Sequence, residues 1–334
     1  MSSSSTEPRR VTIHDVARSA GVSRQTVSRA LNDKAEIDGS TKQRVLDAAR
    51  ELGYRPSRFA RGLVRPDTTT IGLVVPDLLN PFFTEVASGA LAAARARGRH
   101  VVVYDTAGDA EQELATLRVI GTQVDAVVGY FSRSEEDLDR FTPGVPVVLI
   151  GREPRLPRFS GISIDGEDGV REALAHLVGR GHRRIAMLDD DGPEPSVRQL
   201  WFRRAAAAHG IAVAPGWIAR AAQSVDGGGA ALASLLAAHP DVTAVFAFND
   251  VIAIGALREA RRFGLRVPAD LAVIGFDGLA LGTLVDPELS SVAIDTRALG
   301  ALAVDQAARL VTGAAPLEPG ELIVRARLHL RESA

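Results

Sequence analysis

From Thr70 onward, short apolar runs alternate along the chain with Ala-rich amphipathic segments. The runs have the length of buried strands, and segments such as Phe83–Gly98 and Asp168–Gly179 have helical spacing. Strands that alternate with helices predict parallel, doubly wound α/β sheets joined by crossover helices. The apolar runs are IGLVV, VVVY, AVVG, VVLI, IAML, AVFAF and LAVIGF, which are too many strands for one small sheet.

The first part of the chain has a different pattern, with short helical segments. Thr12 and Asp15 have the spacing of a capping box, which predicts the start of a first helix that Gly21 ends. Ser23 can cap a second helix that runs to Leu31. Only a short turn then separates the two helices, which is helix-turn-helix spacing.

A third helix, Thr41 to Leu52, is predicted to open at Ser40 and Gln43 and to complete a small all-α domain. The helical pattern alone fits a bundle of any function as well as it fits DNA binding. The outward side of the second helix favours DNA binding, because bidentate donors and short polar groups there would face a major groove. These residues are Arg24, Gln25, Thr26 and Arg29.

Charge is distributed unevenly along the 334 residues. Residues 1–65 contain 13 Lys+Arg against 7 Asp+Glu, a net charge of +6, and the remainder has a net charge of −8. A basic head on an acidic body indicates a polyanion partner for the head alone, because clustered cations gain by counterion release.

Several classes of protein are not expected from this sequence. It has no cysteine, and its seven histidines lack metal-ligand spacing, so we expect neither disulfides nor a structural metal. Dinucleotide and phosphate-loop signatures, a nucleophile elbow and a zinc-protease motif are absent from the sequence, so we expect neither an enzyme nor a cofactor. The polar first ten residues and the lack of a long apolar stretch predict a cytoplasmic protein.

Specific runs of sequence resemble the lactose-repressor (LacI) family of bacterial regulators. The resemblance begins with VTIHDVARSAGVSRQTVSRALND, TKQRVLDAARELGYRP and SRFARGLV. It continues through IGLVVPDLLNPFF, GISIDGEDG, FNDVIAIGALREA, VPADLAVIGFDG and PELSSV, so that it covers nearly the whole chain.

The resemblance implies a domain organisation. It gives a disordered tail at 1–10, a helix-turn-helix DNA-binding domain at 11–56, a hinge helix and linker at 57–68, and an effector-binding and dimerisation domain at 69–334. The last would have two lobes of periplasmic-binding-protein type, one of about 69–164 and 293–320, the other of about 165–292 and 321–332. The three crossings between lobes are expected near Asp165, Ala293 and Glu321.

For DNA, the resemblance implies a dimeric regulator, most often a repressor, on a palindromic operator. In relatives, a hinge segment matching Ser57–Val64 forms a short helix on the operator, and a leucine matching Leu63 is wedged into the minor groove. An apolar wedge can unstack a flexible base step if the bend creates further contacts. The DNA-binding residues expected on this basis are Thr12, Ser23, Arg24, Gln25, Thr26, Ser28, Arg29, Tyr54, Ser57, Arg58, Ala60 and Leu63.

For the effector, both the strand pattern and the resemblance indicate the cleft between the lobes. Ligands of open α/β sheets bind beyond the carboxyl ends of the strands. An arginine fork and carboxylates suit sugar hydroxyls. Phenylalanine rings usually belong to a core, but the resemblance implies that those at this position form a flat wall for a sugar or base. The effector-binding residues expected are Asp77, Asn80, Phe82, Phe83, Arg152, Arg198, Gln223, Asn249, Asp250 and Asp277.

The sequence also departs from the family pattern. Gly151–Arg152 stands where many relatives have an acidic residue, and Gln223 lies near an aromatic pocket position. The run Asp189–Asp191 is expected to be a solvated loop, with a cationic ligand or metal ion as the alternative. The final LHLRESA has no heptad repeat, so a dimer is expected rather than a tetramer.

Two other functions fit parts of this pattern. A sugar-binding protein of the transport class would share the body, but it would need a secretion signal and no DNA-reading head. A DNA-binding regulator controlled by a protein partner would share the head, but the polar loops around the cleft argue for a small molecule.

Overall fold

The computed structural model describes residues 13–31, 37–52, 69–214, 216–314, 317 and 319–334. Within these ranges the chain forms a helical head followed by two α/β lobes. This architecture confirms the predicted combination of a helix-turn-helix region with doubly wound sheets.

In residues 13–31 and 37–52, the head contains three helices around a small core. Val16, Val27 and Val45, one from each helix, are fully buried and belong to one apolar cluster. The Oγ of Ser23 accepts a hydrogen bond from the backbone N–H of Thr26 at 3.1 Å, so Ser23 caps the second helix as predicted. The helices are α1 (Ile13–Ala20), α2 (Arg24–Leu31) and α3 (Gly39–Glu51).

Helix α3 begins at Gly39, earlier than the predicted Thr41. Asp38 provides the cap, because its carboxylate accepts from the backbone N–H of Thr41 at 3.1 Å and from the hydroxyl of Ser40. The predicted opening by Ser40 and Gln43 is therefore wrong, since the Gln43 side chain bonds one turn further along the same helix.

The first lobe is built on a parallel sheet in the order β11-β5-β4-β3-β1-β2. Its strands are β1 (Thr70–Val75), β2 (His100–Asp105), β3 (Ala126–Gly129), β4 (Val147–Ile150), β5 (Phe159–Asp165) and β11 (Ile323–Arg325). The helices of this lobe are α4 (Pro81–Ala96), α5 (Ala110–Ile120), α6 (Glu135–Phe141) and α11 (Thr296–Thr312).

The second lobe has a sheet in the order β12-β10-β9-β8-β6-β7, parallel except for the antiparallel edge strand β12. Its strands are β6 (Ile185–Asp190), β7 (Ile218–Ala221), β8 (Ala244–Ala247), β9 (Ala272–Asp277), β10 (Ser290–Ala293) and β12 (Arg327–His329). Its helices are α7 (Glu167–Gly179), α8 (Val197–Ala208), α9 (Val225–Ala238) and α10 (Asp250–Arg262).

In the part of the body that the structure describes, the chain passes between the lobes at three places. It leaves the first sheet after Asp165, the last residue of β5, and leaves the second sheet after Ala293, the last residue of β10. The third passage lies at Ala326, between β11 and β12, rather than near the predicted Glu321. The reason is that Ile323–Arg325 still pair with β5 in the first lobe.

Helix α4 also begins earlier than its predicted range, at Pro81 instead of Phe83. The side chain of Asn80 accepts from the backbone N–H of Phe82 at 3.1 Å, and Pro81 suits the first helical position. Phe82 and Phe83 therefore lie in the first turn of a helix, where the helix fixes the direction of both rings.

Helices α4 and α11 cross at two glycines. A Cβ added to Gly89 would lie 2.1 Å from the carbonyl oxygen of Arg297, and one added to Gly300 would lie 2.0 Å from that of Val86. Only residues without a side chain allow this approach, which holds α11 against the helix that carries the two phenylalanines.

Candidate functional sites: the helix-turn-helix surface and the inter-lobe cleft

One side of α2 is polar and accessible. Arg24, Gln25 and Arg29 are exposed, Thr26 and Ser28 are half-buried, and Val27 and Ala30 pack inward. Ser23, the cap, is also exposed. The outward presentation expected for reading base edges is therefore present at the amino-terminal end of α2. The other DNA-binding residues expected from the sequence lie outside the described residues: Thr12, Tyr54, Ser57, Arg58, Ala60 and Leu63.

A cavity of about 520 Å³ lies between the two lobes, bounded by the carboxyl ends of strands from both sheets. This is the volume range of ordinary small-molecule sites. Eight of the ten expected effector residues line it: Asn80, Phe82, Phe83, Arg152, Arg198, Gln223, Asn249 and Asp277. It is also lined by residues that we did not single out as ligand contacts: Thr106, Glu113, Tyr130, Phe131, Ser132, Ile164, Trp201, Phe248 and Phe276.

The first lobe contributes an aromatic wall. The ring centroids of Phe82 and Phe83 are 5.2 Å apart, and Tyr130 lies 6.0 Å from Phe82 and 5.1 Å from Phe83, all edge to face. Such mutual contacts fix the rings as a unit, so that their free surfaces form a preformed apolar wall. Burial also raises the pKa of the Tyr130 phenol, which stays protonated.

The second lobe contributes a buried ion pair. Arg198 Nη2 lies 3.0 Å from Asp277 Oδ1, and the Arg198 guanidinium also donates to the carbonyl oxygen of Phe248. The guanidinium carbon lies 3.9 Å from the ring centroid of Phe276 and 4.4 Å from that of Phe248. Two ring faces and two oxygen acceptors thus hold Arg198 in one orientation.

Burial raises the pKa of Asp277 to about 6, even though the Arg198 charge acts to lower it. Asp277 also has a positive φ of 114°, a conformation that L residues rarely adopt. Backbone strain of this kind is often found where a side chain must be aimed at a ligand. The geometry directs this carboxylate to Arg198 at the cavity wall.

Asp250 is not part of the cavity wall, contrary to expectation. It is fully buried, and its carboxylate accepts from the hydroxyl of Ser291 at 2.6 Å and the backbone N–H of Leu279 at 2.7 Å. Burial raises the pKa of Asp250 to about 7. Its place is behind the cavity, where it holds the segment that follows Asp277.

Asp77 is the second expected residue that does not line the cavity. Its carboxylate accepts from the backbone N–H of Leu79 at 2.7 Å and so shapes the turn between β1 and α4. Asp77 is therefore a turn residue that precedes Asn80, and it has no ligand-facing position.

Two amide side chains at the cavity also have structural partners. Asn249 caps α10 through its Oδ1, which accepts from Ile252 N at 2.9 Å, and its Nδ2 donates to Gln223 Oε1 at 3.2 Å. Gln223 is thereby held at the edge of the cavity, where the resemblance to the family led us to expect a pocket residue.

The sequence predicts a solvated loop at Asp189–Asp191, but this is only partly correct, because Asp189 and Asp190 belong to strand β6. Asp189 is fully buried in β6 and accepts at 2.5 Å from the hydroxyl of Ser196, the residue that caps α8. Burial and the neighbouring Asp189 raise the pKa of Asp190. Among the described residues, no group of three or more His, Cys, Asp or Glu side chains could hold a metal ion.

Two cavity residues that we did not predict, Tyr130 and Trp201, have positions in the sequence that could have identified them. Tyr130 directly follows the carboxyl end of β3, at the same edge as the expected residues, and Trp201 lies one turn after Arg198 on α8. Trp201 stacks on Phe276 with centroids 6.2 Å apart. Glu113 had no such signal, because it reaches the cavity from within α5.

Within the described ranges, none of the helices has the length and apolar character needed to cross a bilayer.

Comparison with known proteins identifies both parts of the chain. Residues 12–57 match the family described as bacterial regulatory proteins, lacI family, and residues 174–334 match the periplasmic binding protein-like domain. Catabolite control protein A of Priestia megaterium is 34% identical over 300 residues, covering 88% of this chain and 90% of that protein. The transcriptional regulator CelR of Thermobifida fusca is 34% identical over 338 residues, covering 97% of this chain and 98% of that protein.

Solved structures show the same relationship in three dimensions. A CelR–cellobiose complex superposes with a TM-score of 0.70 at 31% identity, covering 97% of this chain and all of that one. The lac repressor dimer bound to operator and the anti-inducer ONPF superposes with a TM-score of 0.71 at 27% identity, covering 97% of this chain and 99% of that one. The chain belongs to the lacI family of bacterial regulatory proteins.

Proposed function

We propose that this protein is a transcriptional regulator that binds a palindromic operator as a homodimer and responds to a sugar or related metabolite bound between its lobes. One observation carries the proposal: a single chain combines an exposed polar face on α2 with a cavity that contains a buried, oriented ion pair. The first feature suits duplex DNA, and the second suits a small polyhydroxylated ligand.

The DNA contact would be made by the amino-terminal turn of α2. In helix-turn-helix proteins this end of the second helix enters the major groove. Arg24 and Gln25 are exposed there, and their side chains can make paired hydrogen bonds to guanine and adenine edges respectively. The hinge segment Ser57–Val64 and its Leu63 wedge, outside the described residues, stay part of the proposal on the family resemblance.

The effector would bind against the ion pair. Asp277 can accept from ligand hydroxyls and Arg198 can donate to ligand oxygens, while the Phe82–Phe83–Tyr130 wall would cover an apolar ring face. Related regulators in solved structures contain cellobiose or lactose, which supports a carbohydrate in this cavity.

Calorimetry with and without operator DNA tests the coupling of the two sites. With cellobiose, lactose and their component monosaccharides as first probes, a bound sugar should weaken operator binding by about 5–150-fold. Linkage then requires that the operator weaken the binding of that sugar by the same factor.

Two variants separate the sites. Asp277→Ala should abolish the response to sugar while operator affinity is retained, and Arg24→Ala should weaken the operator while sugar affinity is retained. A sugar that occupies the cavity with equal affinity in the presence and absence of operator would refute control by that sugar. Binding of sugar without any sequence-specific DNA binding would favour a carrier of the transport class.

A further inference from the structure

The charged side chains at the cavity differ in how well they are paired. In the second lobe, Arg198 and Asp277 neutralise each other at 3.0 Å. In the first lobe, the Glu113 carboxylate accepts from the Ser132 hydroxyl at 2.6 Å and from the backbone N–H groups of Ser132 and Arg133 at 3.0 Å each. Three donors therefore satisfy Glu113 without any ligand.

Among the charged residues that line the cavity in the described part of the chain, Arg152 is the one with an unsatisfied hydrogen-bonding group. It follows the carboxyl end of β4, lines the cavity, and forms no ion pair with any carboxylate in the described part of the chain. Its Nη2 donates to the carbonyl oxygen of Arg133 at 3.2 Å, while its Nε is buried without a hydrogen-bond partner. A guanidinium cannot lose its proton at physiological pH, so its charge and its buried N–H both require an acceptor.

A second donor in the same lobe is also unsatisfied. The Tyr130 hydroxyl is buried, has no hydrogen-bond partner, and belongs to a residue that lines the cavity. Gly151, just before Arg152, has a φ of +85°, and a Cβ there would lie 3.3 Å from the Tyr130 ring. Glycine at position 151 thus leaves room for the tyrosine ring and contributes no side chain beside Arg152.

We propose that the effector carries an anionic group, a carboxylate or a phosphate, that binds Arg152 on the first-lobe side of the cavity. This inference rests on the proposed function and narrows its ligand to an acidic sugar, such as a uronic acid or a sugar phosphate. The planar guanidinium matches either anion, and the acceptor oxygens of the sugar satisfy Tyr130. The sugar ring lies against the phenylalanine wall, and its hydroxyl groups bind the Arg198–Asp277 pair.

Matched probes with the same ring test this inference. D-glucose, D-glucuronate and D-glucose 6-phosphate, and the corresponding galactose series, are titrated into the full-length protein by calorimetry at constant ionic strength. At least one acidic probe should bind about tenfold or more tightly than its neutral parent. Tighter binding of the uronate then indicates a carboxylate on the effector, and tighter binding of the sugar phosphate indicates a phosphate.

In the variant Arg152→Gln that preference should be lost, so that an acidic probe binds no more than about twofold more tightly than its neutral parent. Arg155→Gln is the matched control, because Arg155 is exposed on the same loop and does not line the cavity. Thermal unfolding without ligand checks that both variants are folded. The inference is overturned if the wild-type protein binds none of the acidic probes. It is also overturned if the wild-type protein and Arg152→Gln bind them with equal affinity.

Failure of the inference and failure of the proposed function have different outcomes. A neutral sugar that releases the operator would support the proposed function and overturn the anionic effector. An acidic sugar that binds through Arg152 without any effect on operator affinity would support the anionic subsite and refute its regulatory role.

Discussion

Replacement of Arg198 by methionine should destabilise the second lobe by an amount that depends on pH. Asp277 is 4% exposed and Arg198 is 14% exposed, so the pair is largely desolvated. Burial raises the pKa of Asp277 to about 6 and Arg198 holds it down. In Arg198→Met the effects of burial and of the Glu85 charge, which both raise the pKa, are no longer opposed, and the pKa of Asp277 must rise further.

The sign of the pH effect follows from the raised pKa. The ordinary value is 3.8, so the folded wild-type protein binds a proton more tightly than the unfolded chain and loses stability as pH rises to about 6. In Arg198→Met the pKa of Asp277 is higher, so stability continues to fall above pH 6. The extra loss is about 1.4 kcal/mol for each unit by which the pKa of Asp277 in the variant exceeds that in the wild-type protein. The neighbouring Asp250 also titrates in this range, and the Asp277 charge raises its pKa, so the difference between the two proteins reports both carboxylates together.

The expected destabilisation is about 1 kcal/mol at pH 5, where Asp277 is protonated in both proteins and mainly hydrogen bonds are lost. At pH 8 it should reach about 3 kcal/mol, the lower end of the range for a broken buried pair. Urea unfolding followed by tryptophan fluorescence measures it, because Trp201 and Trp217 both lie in the second lobe.

Arg204→Met is the matched control for this experiment. Arg204 is on the same helix, but its side chain is 67% exposed and pairs with Glu167 at the surface. This variant should lose less than about 1 kcal/mol at both pH values. If Arg198→Met lost the same free energy at pH 5 and pH 8, Asp277 would not titrate in this range and the electrostatic account of the pair would be wrong.

Three further predictions concern other parts of the chain. Arg24→Ala should weaken operator binding by about 1–3 kcal/mol and relax base preference at one position in a selection experiment, whereas Arg18→Ala on α1 should leave that preference unchanged. Leu63→Ala should weaken specific but not non-specific DNA binding, measured by fluorescence anisotropy, and an equal loss on both would exclude a wedge. Gly300→Ala should lower the free energy of unfolding by about 1–3 kcal/mol, because its Cβ would meet the Val86 carbonyl at 2.0 Å. Gly179→Ala is the control, because no atom lies within 4 Å of a Cβ added there, and an unchanged stability for Gly300→Ala would refute the close crossing.

The apolar runs of the sequence predicted seven strands, but they did not predict the more polar strands β5, β7 and β10 or the three-residue strands β11 and β12. Runs such as the one that became β1 are apolar throughout because both faces are covered. β7 includes Arg220, and β11 and β12 have only three residues each, so their pairing depends on a neighbouring strand far away in the chain. The third passage between the lobes was misplaced for the same reason.

The cavity was predictable where local rules determine a side chain's position. Strand ends located Asn80, Arg152 and Asp277, and these rules would also have identified Tyr130. Asp250 could not be assigned correctly, because it follows a strand end as Asn249 does but faces Ser291, a residue that only the folded sheet brings near. The sequence pattern does not distinguish an acid that lines a cavity from one that supports its wall.

A contact between the lobes relates the cavity to the rest of the first lobe. Glu85 on α4 accepts from the backbone N–H of Ala280 at 3.2 Å and from the hydroxyl of Thr296 at 2.7 Å. Ala280 begins the short turn just after Asp277, and Thr296 begins α11 after the second passage between the lobes. One carboxylate therefore joins the helix of the phenylalanine wall to the segment that positions the ion pair. A ligand that changes the distance between the wall and the ion pair must also change or break the bond between Glu85 and Ala280, which gives the proposed control of lobe closure a definite physical element.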